Sequence, residues 1–186
     1  MKIFIKNMVC NRCISAVSKI FEDAGIDVAQ IRLGEVELKS EISEEVLNNI
    51  EENLINTGFE RIKDSSQQLI EKIKNLIITK IGSLDIAENF VLSEFLSANL
   101  HKDYSLISKT FSQTENVTLE QFFILQKIEK VKELLLYNEF TLTEISAKLG
   151  YKSVQHLSAQ FRYSTGFSPT EFKKLKTNNR KALDLI

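Results

Sequence analysis

Residues 141–174, TLTEISAKLGYKSVQHLSAQFRYSTGFSPTEFKK, hold the densest set of helix boundary signals in the chain. Thr141 with Glu144 forms a capping box, in which two side chains satisfy free backbone donors of a helix. Gly150 stands where a tight turn needs a positive φ, Ser153 can cap the next helix, and Pro169 opens a third. The stretch predicts a helix-turn-helix, whose second helix can lie in the major groove of DNA.

The rest of the chain after Ser65 shows a helical period of apolar residues and no strand-like alternation. The segments predicted to be helical are 66–80, 88–99, 103–113, 118–137, 141–149, 153–164 and 168–175. They indicate an all-α domain over 64–186, with two helix-turn-helix units at about 88–113 and 141–164 bridged by the long helix 118–137. Within the second unit, Leu142, Ile145 and Leu149 are expected to face inward, and Ala147 to allow a close helix crossing.

The sequence EISAKLGYKSVQHLSAQFRYSTGFSPTEFKK resembles the second helix-turn-helix of AraC-type (AraC/XylS) transcription regulators. It has that family's glycine-aromatic pair, the L-S-x-x-F-R core of the recognition helix and the G-x-S-P-x-E-F-K tail. The segment VLSEFLSANLHKDYSLISKTFSQTENVTLEQFFILQKIEKVKELL resembles the first unit and the bridging helix. The resemblance covers about residues 66–176 and implies recognition helices in successive major grooves of promoter DNA.

The resemblance assigns DNA contacts to the exposed positions of both recognition helices. In the first, these are Ser105, Ser108 and Lys109, whereas Leu106, Ile107 and Phe111 are expected to lie toward the core. In the second, they are Ser153, Val154, Gln155, Ser158, Ala159 and Arg162, followed by Lys173 and Lys174 as phosphate contacts. Gln155 can pair bidentately with adenine, Arg162 can reach guanine or phosphate, and Val154 can touch a thymine methyl. His101 and His156 are expected to be surface or capping residues.

The charge distribution agrees with a polyanionic partner. Residues 1–64 carry eight Lys or Arg against twelve Asp or Glu, a net charge of -4, whereas residues 65–186 carry sixteen against thirteen, a net charge of +3. Most of the excess lies between residues 152 and 181, where Lys176, Arg180 and Lys181 add to the basic residues already named. A basic terminal segment on a nearly neutral chain favours DNA, although a solvated face is the alternative.

The first 63 residues have a different pattern. KIFIK at 2–6 predicts a strand, 13–24 a helix, 26–33 and 35–39 two strands around Gly34, a helix from Ser43, and a last strand at 59–62. This order, βαββαβ, predicts a small ferredoxin-like α+β domain over 1–63.

Both cysteines of the chain, Cys10 and Cys13, lie between the first strand and the first helix. Three uses remain open from the residues alone: a redox couple, half of a zinc site completed by a second chain, or a clamp for a soft ion. Two thiolates suit Cu(I), Ag(I) or Hg(II), since soft ligands prefer soft ions. The helix expected to begin at Cys13, together with Arg12, favours the thiolate form.

The N-terminal segment MKIFIKNMVCNRCISAVSKIFEDAGI resembles a heavy-metal-associated domain, and SEEVLNNIEENLINTGFE resembles the second half of that domain. The resemblance implies that Cys10 and Cys13 are metal ligands and that Met8 is a core residue shaping the loop. Asn7 and Val9 depart from the family, which usually has glycine and threonine at these positions.

Together these patterns predict a cytoplasmic, metal-responsive transcription regulator in which Cu(I) at the cysteine pair changes DNA binding through the helix 66–80. Zn(II), Ag(I) and Hg(II) are the other ions considered. A homodimer and a contact with RNA polymerase are further expectations, and no membrane partner is expected. Two alternatives remain. One is a thiol-redox regulator that forms a Cys10–Cys13 disulfide, and the other is a metal-delivery protein whose DNA-binding domain serves only to localise it. An enzyme finds no support, because no Ser/His/Asp set, phosphate-binding glycine loop or paired-carboxylate site is present.

Overall fold

The computed structural model describes residues 1–175 and Leu183. The chain divides into two compact units, Met1–Asn75 and Leu76–Ile186, so that the division falls inside a helix rather than before it as the sequence suggested. Lys176, Arg180 and Lys181 of the basic segment lie outside the described residues. A small sheet in the first unit and helices in the second confirm the mixed α+β prediction.

The first unit contains four strands and three helices in the predicted order. They are β1 (Lys2–Lys6), α1 (Asn11–Asp23), β2 (Val28–Arg32), β3 (Glu35–Leu38), α2 (Glu44–Asn56), β4 (Glu60–Ile62) and the first part of α3 (Ser65–Gly82). The strands form one antiparallel sheet in the order β2-β3-β1-β4. Ser43 caps α2 through its hydroxyl, which accepts from the backbone N–H of Val46.

One face of the sheet packs against α1 and α2. The alternation of β1 places Ile3 and Ile5 on this face, and both are buried with Val36 of β3. The helices supply Val17, Phe21, Ile50 and Leu54, all fully buried. This cluster fixes the positions of β1 and α1, which flank the cysteine pair.

The other face of the sheet is covered by the start of α3. Lys72 places its ammonium 4.7 Å from the centre of the Phe4 ring, and the Gln68 side chain donates to the carbonyl oxygen of Ile62. Gly34 leaves space here for Asn75, since a Cβ at residue 34 would lie 2.3 Å from the Asn75 amide nitrogen. The second face of the sheet is therefore partly covered, with Phe4 half-buried and Ile62 buried, which strand alternation alone did not predict.

The second unit is helical. After α3 come α4 (Leu92–Leu100), α5 (Tyr104–Glu115), α6 (Leu119–Tyr137), α7 (Leu142–Lys148), α8 (Val154–Thr165) and α9 (Pro169–Lys174). The predicted helix 88–99 begins later, at Leu92. Within the described ranges no helix is long and apolar enough to span a membrane.

The core of the second unit forms around α6. Phe122 packs against Phe111 of α5 with 5.3 Å between ring centres, and Phe161 of α8 packs against Phe172 of α9 at 5.4 Å. The prediction that Ala147 allows a close helix crossing is wrong, because Ala147 is exposed. The adjacent Ser146 is the small residue that is buried. Ser146 accepts from the backbone N–H of Tyr151 through its carbonyl oxygen, which places it on the inner side of the turn.

Candidate functional site

The two cysteines face each other at the loop between β1 and α1. Their sulfur atoms lie 3.6 Å apart, and both are free thiols, with Cys10 exposed and Cys13 half-buried. The separation is well beyond a disulfide bond of about 2.05 Å, yet short enough for both thiols to reach one bound ion. The thiol of Cys13 also points at the carbonyl oxygen of Asn7, 3.9 Å away.

Helix α1 begins two residues earlier than predicted, at Asn11, so Cys10 is its N-cap. The carbonyl oxygen of Cys10 accepts from the backbone N–H groups of Cys13 and Ile14. Both thiols therefore lie at the positive end of the helix, in its first turn. Met8 is fully buried beneath the loop, as the resemblance implied.

Asn7 determines how the chain enters this loop. Its φ of 71° lies in the left-handed region, which asparagine tolerates better than most residues other than glycine. Its side-chain amide donates to the carbonyl oxygen of Gly58 at 3.0 Å, which ties the loop to the turn between α2 and β4.

The two thiols differ in acidity. Burial raises the pKa of Cys10, but the Cys13 backbone N–H, the Cys13 thiol, and the backbone and charge of Arg12 together bring that pKa below its ordinary value. Burial raises the pKa of the Cys13 thiol, and the Cys10 side chain raises it further. The exposed Cys10 is therefore the better nucleophile and the first thiol to become a thiolate.

The chemistry of the donor set fits a soft ion of low coordination number. The cysteine pair offers two sulfur donors, and no group of three or more His, Cys, Asp or Glu able to hold a metal occurs in the described part of the chain. A tetrahedral zinc site takes four protein ligands. Cys10 and Cys13 would thus supply half of a zinc site, or the whole of a two-coordinate site for an ion such as Cu(I).

In the second unit, α4 and α5 form the first helix pair. His101 ends α4 with a φ of 51°, the capping role expected for it. Tyr104 begins α5, and its hydroxyl donates to the Glu120 carboxylate at the start of α6. Burial raises the pKa of Tyr104, and the hydrogen bond to Glu120 raises it further. The same hydrogen bond lowers the pKa of Glu120. The start of α5 is thereby fixed to the bridging helix.

Helices α7 and α8 form the second pair, and every predicted cap is present. Thr141 and Glu144 make the capping box of α7, and the hydroxyl of Ser153 accepts from the backbone N–H of His156 to cap α8. Gly150 has the predicted positive φ, 67°. A Cβ there would lie 2.7 Å from Ile86 Cγ2, so the turn packs tightly against the residue that follows α3.

The helix pairs match a known domain family. A family model described as a helix-turn-helix domain matches residues 96–175. The helices within residues 96–175 are therefore similar to those of a helix-turn-helix domain. The match is shorter than the predicted 66–176.

Known proteins with similar sequences or structures are regulators. The chain is 24% identical to the Msm operon regulatory protein of Streptococcus mutans over 125 residues, which are 65% of this chain and 41% of that protein. It thus spans less than half the length of that relative. That relative is named as a regulatory protein and not as an enzyme, in agreement with the sequence-based prediction.

One solved structure is similar enough to support the helical fold. The C-terminal domain of AraT, a response regulator from Geobacillus stearothermophilus, superposes with a TM-score of 0.50 at 19% identity, over 60% of this chain and 93% of that one. The C-terminal domain of the response regulator yesN from Fusobacterium nucleatum gives 0.47 at 24% identity, over 55% and 99% of the two chains.

In the part of the chain that matches the helix-turn-helix model, the predicted contact residues of α8 are largely accessible. Gln155, Ala159 and Arg162 are exposed along one side of the helix, and Val154 and Ser158 are half-buried beside them. Ser153 is exposed, but its hydroxyl is occupied as the cap of α8. The stripe of Gln155, Ala159 and Arg162 is called the reading stripe below.

In α5, Ser105 and Lys109 are exposed and Ser108 is half-buried. The prediction that Leu106 faces the core is wrong, because its side chain is 51% exposed, whereas Ile107 and Phe111 are fully buried. The two buried residues are four positions apart and define the inner side of α5, so Leu106 falls beside Lys109 on the outside. Leu106 adds an apolar surface suited to a thymine methyl group.

The lysines of α9 differ in their surroundings. Both are exposed, but the Lys173 ammonium donates to the side-chain oxygen of Asn138 at the end of α6. The backbone N–H and the hydroxyl of Ser168 lower the pKa of Glu171, and the charge of Lys174 lowers it further. Lys173 thus has a structural contact that the sequence did not indicate.

Proposed function

We propose that the protein is a transcription regulator that binds promoter DNA through α5 and α8. The match of residues 96–175 to a helix-turn-helix family carries this proposal. The reading stripe adds an amide, a small residue and a guanidinium on one side of α8. Gln155 suits adenine and Arg162 suits guanine or phosphate.

In this proposal the first unit is a metal sensor of the heavy-metal-associated type. Its element order and the sheet order β2-β3-β1-β4 are compatible with a ferredoxin-like arrangement. The observation that supports a metal is the pair of free thiols 3.6 Å apart in the first turn of α1. Cys10 and Cys13 would hold Cu(I), which would supply a soft positive charge at the thiolate pair.

The metal would act through the difference in its affinity for two states of the protein. The test is a DNA titration of the intact chain, by fluorescence anisotropy on duplexes selected for binding, with no metal, with Cu(I) and with Zn(II). A change of at least about tenfold with Cu(I), corresponding to about 1.4 kcal/mol, is expected. It should vanish in Cys10→Ser/Cys13→Ser, while metal-free binding remains.

The metal proposal fails if Cu(I) leaves DNA affinity unchanged, or if the double substitution responds to Cu(I) as the native chain does. We further propose that the metal-bound form dimerises through thiols of two chains and that the DNA-bound form contacts RNA polymerase. Sedimentation with and without Cu(I) tests the dimer, because an unchanged mass contradicts it.

A second candidate is a thiol-redox regulator. The thiol-thiol contact of 3.6 Å and the lowered pKa of Cys10 favour it. Two thiols would lose two protons and two electrons to a disulfide oxidant such as oxidised glutathione, and a Cys10–Cys13 disulfide would form. This candidate predicts that oxidised glutathione changes DNA affinity in the absence of metal, and that dithiothreitol reverses the change.

A further inference from the structure

Arg12 lies between the two cysteines and is the only charged residue from residue 7 to residue 18. Its side chain is exposed, and within residues 1–175 no carboxylate forms an ion pair with it. It occupies the second position of α1, whose first turn carries no acidic residue. The thiol pair therefore has one positive side chain beside it, although residues 1–64 as a whole carry a net charge of -4.

The backbone adds positive character around the two sulfur atoms. Burial raises the pKa of the Cys10 thiol, and the backbone N–H groups of Cys13 and Arg12 act in the opposite direction. Burial likewise raises the pKa of Cys13, against the effect of the Val9 and Cys10 backbone N–H groups. Each sulfur atom thus faces two backbone N–H groups at the positive end of the 13-residue helix α1, where negative charge is stabilised.

Soft ions bound by a pair of thiolates give complexes that differ in net charge. Two thiolates carry two negative charges, so a monovalent ion such as Cu(I) or Ag(I) leaves an anionic complex, whereas divalent Hg(II) leaves a neutral one. Both complexes form from the same metal-free cysteine pair. A variant can therefore change the ratio of the two affinities only through a different effect on the two complexes.

We propose that Arg12 is a specificity-determining residue, which favours monovalent soft ions over Hg(II) at the cysteine pair. This inference rests on the proposed metal binding by Cys10 and Cys13. The guanidinium attracts the anionic complex of a monovalent ion, whereas the neutral complex of Hg(II) offers it no net charge. The N–H groups at the start of α1 act in the same direction, but only the contribution of Arg12 can be removed by changing a side chain.

The test measures the ratio of the Cu(I) affinity to the Hg(II) affinity in the full chain. Cu(I) is titrated without oxygen against the chromophoric chelator bicinchoninate, and Hg(II) is titrated against dithiothreitol and followed by ultraviolet absorption. Loss of one exposed charge beside the sulfur atoms should lower the ratio about threefold in Arg12→Gln. Reversal of the charge should lower it about tenfold in Arg12→Glu, and salt at about 1 M should reduce both effects.

Arg12→Lys keeps the positive charge and should keep the ratio within about twofold of the native value. Lys19→Glu is the matched control, because it makes the same change in net charge on an exposed residue of α1, about 10 Å further along the helix. It should keep the native ratio. Glutamate is favourable in the first turn of a helix, so Arg12→Glu should fold, and circular dichroism verifies that each variant is folded.

A native ratio in Arg12→Glu would overturn this inference while leaving the proposed metal site intact. An equal loss of affinity for both ions would also overturn it, since that result indicates a general effect on the thiols. A similar fall of the ratio in Lys19→Glu would assign the preference to the net charge of the first unit instead of Arg12. If the native chain binds neither ion, both the proposed metal site and this inference fail.

Discussion

Asn7 meets two requirements at the entrance to the cysteine loop, a left-handed backbone and a hydrogen bond to Gly58. Asn7→Ala keeps neither, and a left-handed alanine costs about 1–2 kcal/mol in addition to about 1 kcal/mol for the hydrogen bond. We expect the free energy of unfolding of the first unit to fall by about 2 kcal/mol. Amide hydrogen exchange at Ile5 and Val36, in the core strands β1 and β3, measures it.

Asn7→Gly separates the two requirements, because glycine accepts the backbone conformation but lacks the amide. Its cost should stay below about 1 kcal/mol. Equal destabilisation by alanine and glycine would show that the positive φ of residue 7 has no energetic role. The loop would then depend on the Gly58 contact alone.

At the scale of elements, the turn between α7 and α8 depends on a glycine that cannot be replaced. Gly150→Ala would combine a positive φ with a Cβ at 2.7 Å from Ile86 Cγ2 and 2.8 Å from the Ala87 carbonyl oxygen. We expect a loss of about 2–4 kcal/mol in the stability of the second unit. Urea unfolding followed by tyrosine fluorescence measures it, since all four tyrosines, Tyr104, Tyr137, Tyr151 and Tyr163, lie in the second unit.

Gly166→Ala is the control for backbone conformation alone. Gly166 ends α8 with a φ of 81°, and a Cβ there would meet nothing within 4 Å. The loss should be only about 1 kcal/mol. A larger loss at residue 166 than at residue 150 would contradict the packing argument for the turn.

The sequence predicted the elements whose signals are local. The caps at Thr141 and Ser153, Pro169 at the start of α9 and the left-handed Gly150 depend on a few neighbouring residues, so they could be recognised without knowing the fold. The start of α1 was misplaced because its N-cap is Cys10, whose side chain makes no cap hydrogen bond and which gives no capping signal.

Features that depend on contacts distant in the sequence were missed. The periodicity of α3 showed an apolar side, but not that Lys72 and Gln68 of this helix contact the sheet at Phe4 and Ile62. Leu106 was assigned to the core because leucine usually lies there, although the inner side of α5 is defined by Ile107 and Phe111.

At the scale of the whole molecule, α3 is one uninterrupted helix from Ser65 to Gly82, and its residues contribute to both units. Ile70 and Ile73 are buried in the first unit, and Ile77 and Ile81 in the second. A continuous helix can carry a change from one unit to the other because its hydrogen bonds resist bending, whereas a flexible linker absorbs such a change.

If metal binding acts through α3, interrupting the helix should separate the two activities. Insertion of two glycines between Asn75 and Leu76 should leave Cu(I) binding and metal-free DNA binding within about twofold of the native values, or about 0.4 kcal/mol, because the cysteine pair and the residues of α5 and α8 are unchanged. The effect of Cu(I) on DNA affinity should disappear.

A two-glycine insertion between Ser40 and Glu41, in an exposed loop of the first unit, is the control and should keep the response. A full response to Cu(I) in the Asn75–Leu76 insertion would show that coupling does not need a continuous α3, and would favour dimerisation through the thiols as the way in which metal affects DNA binding.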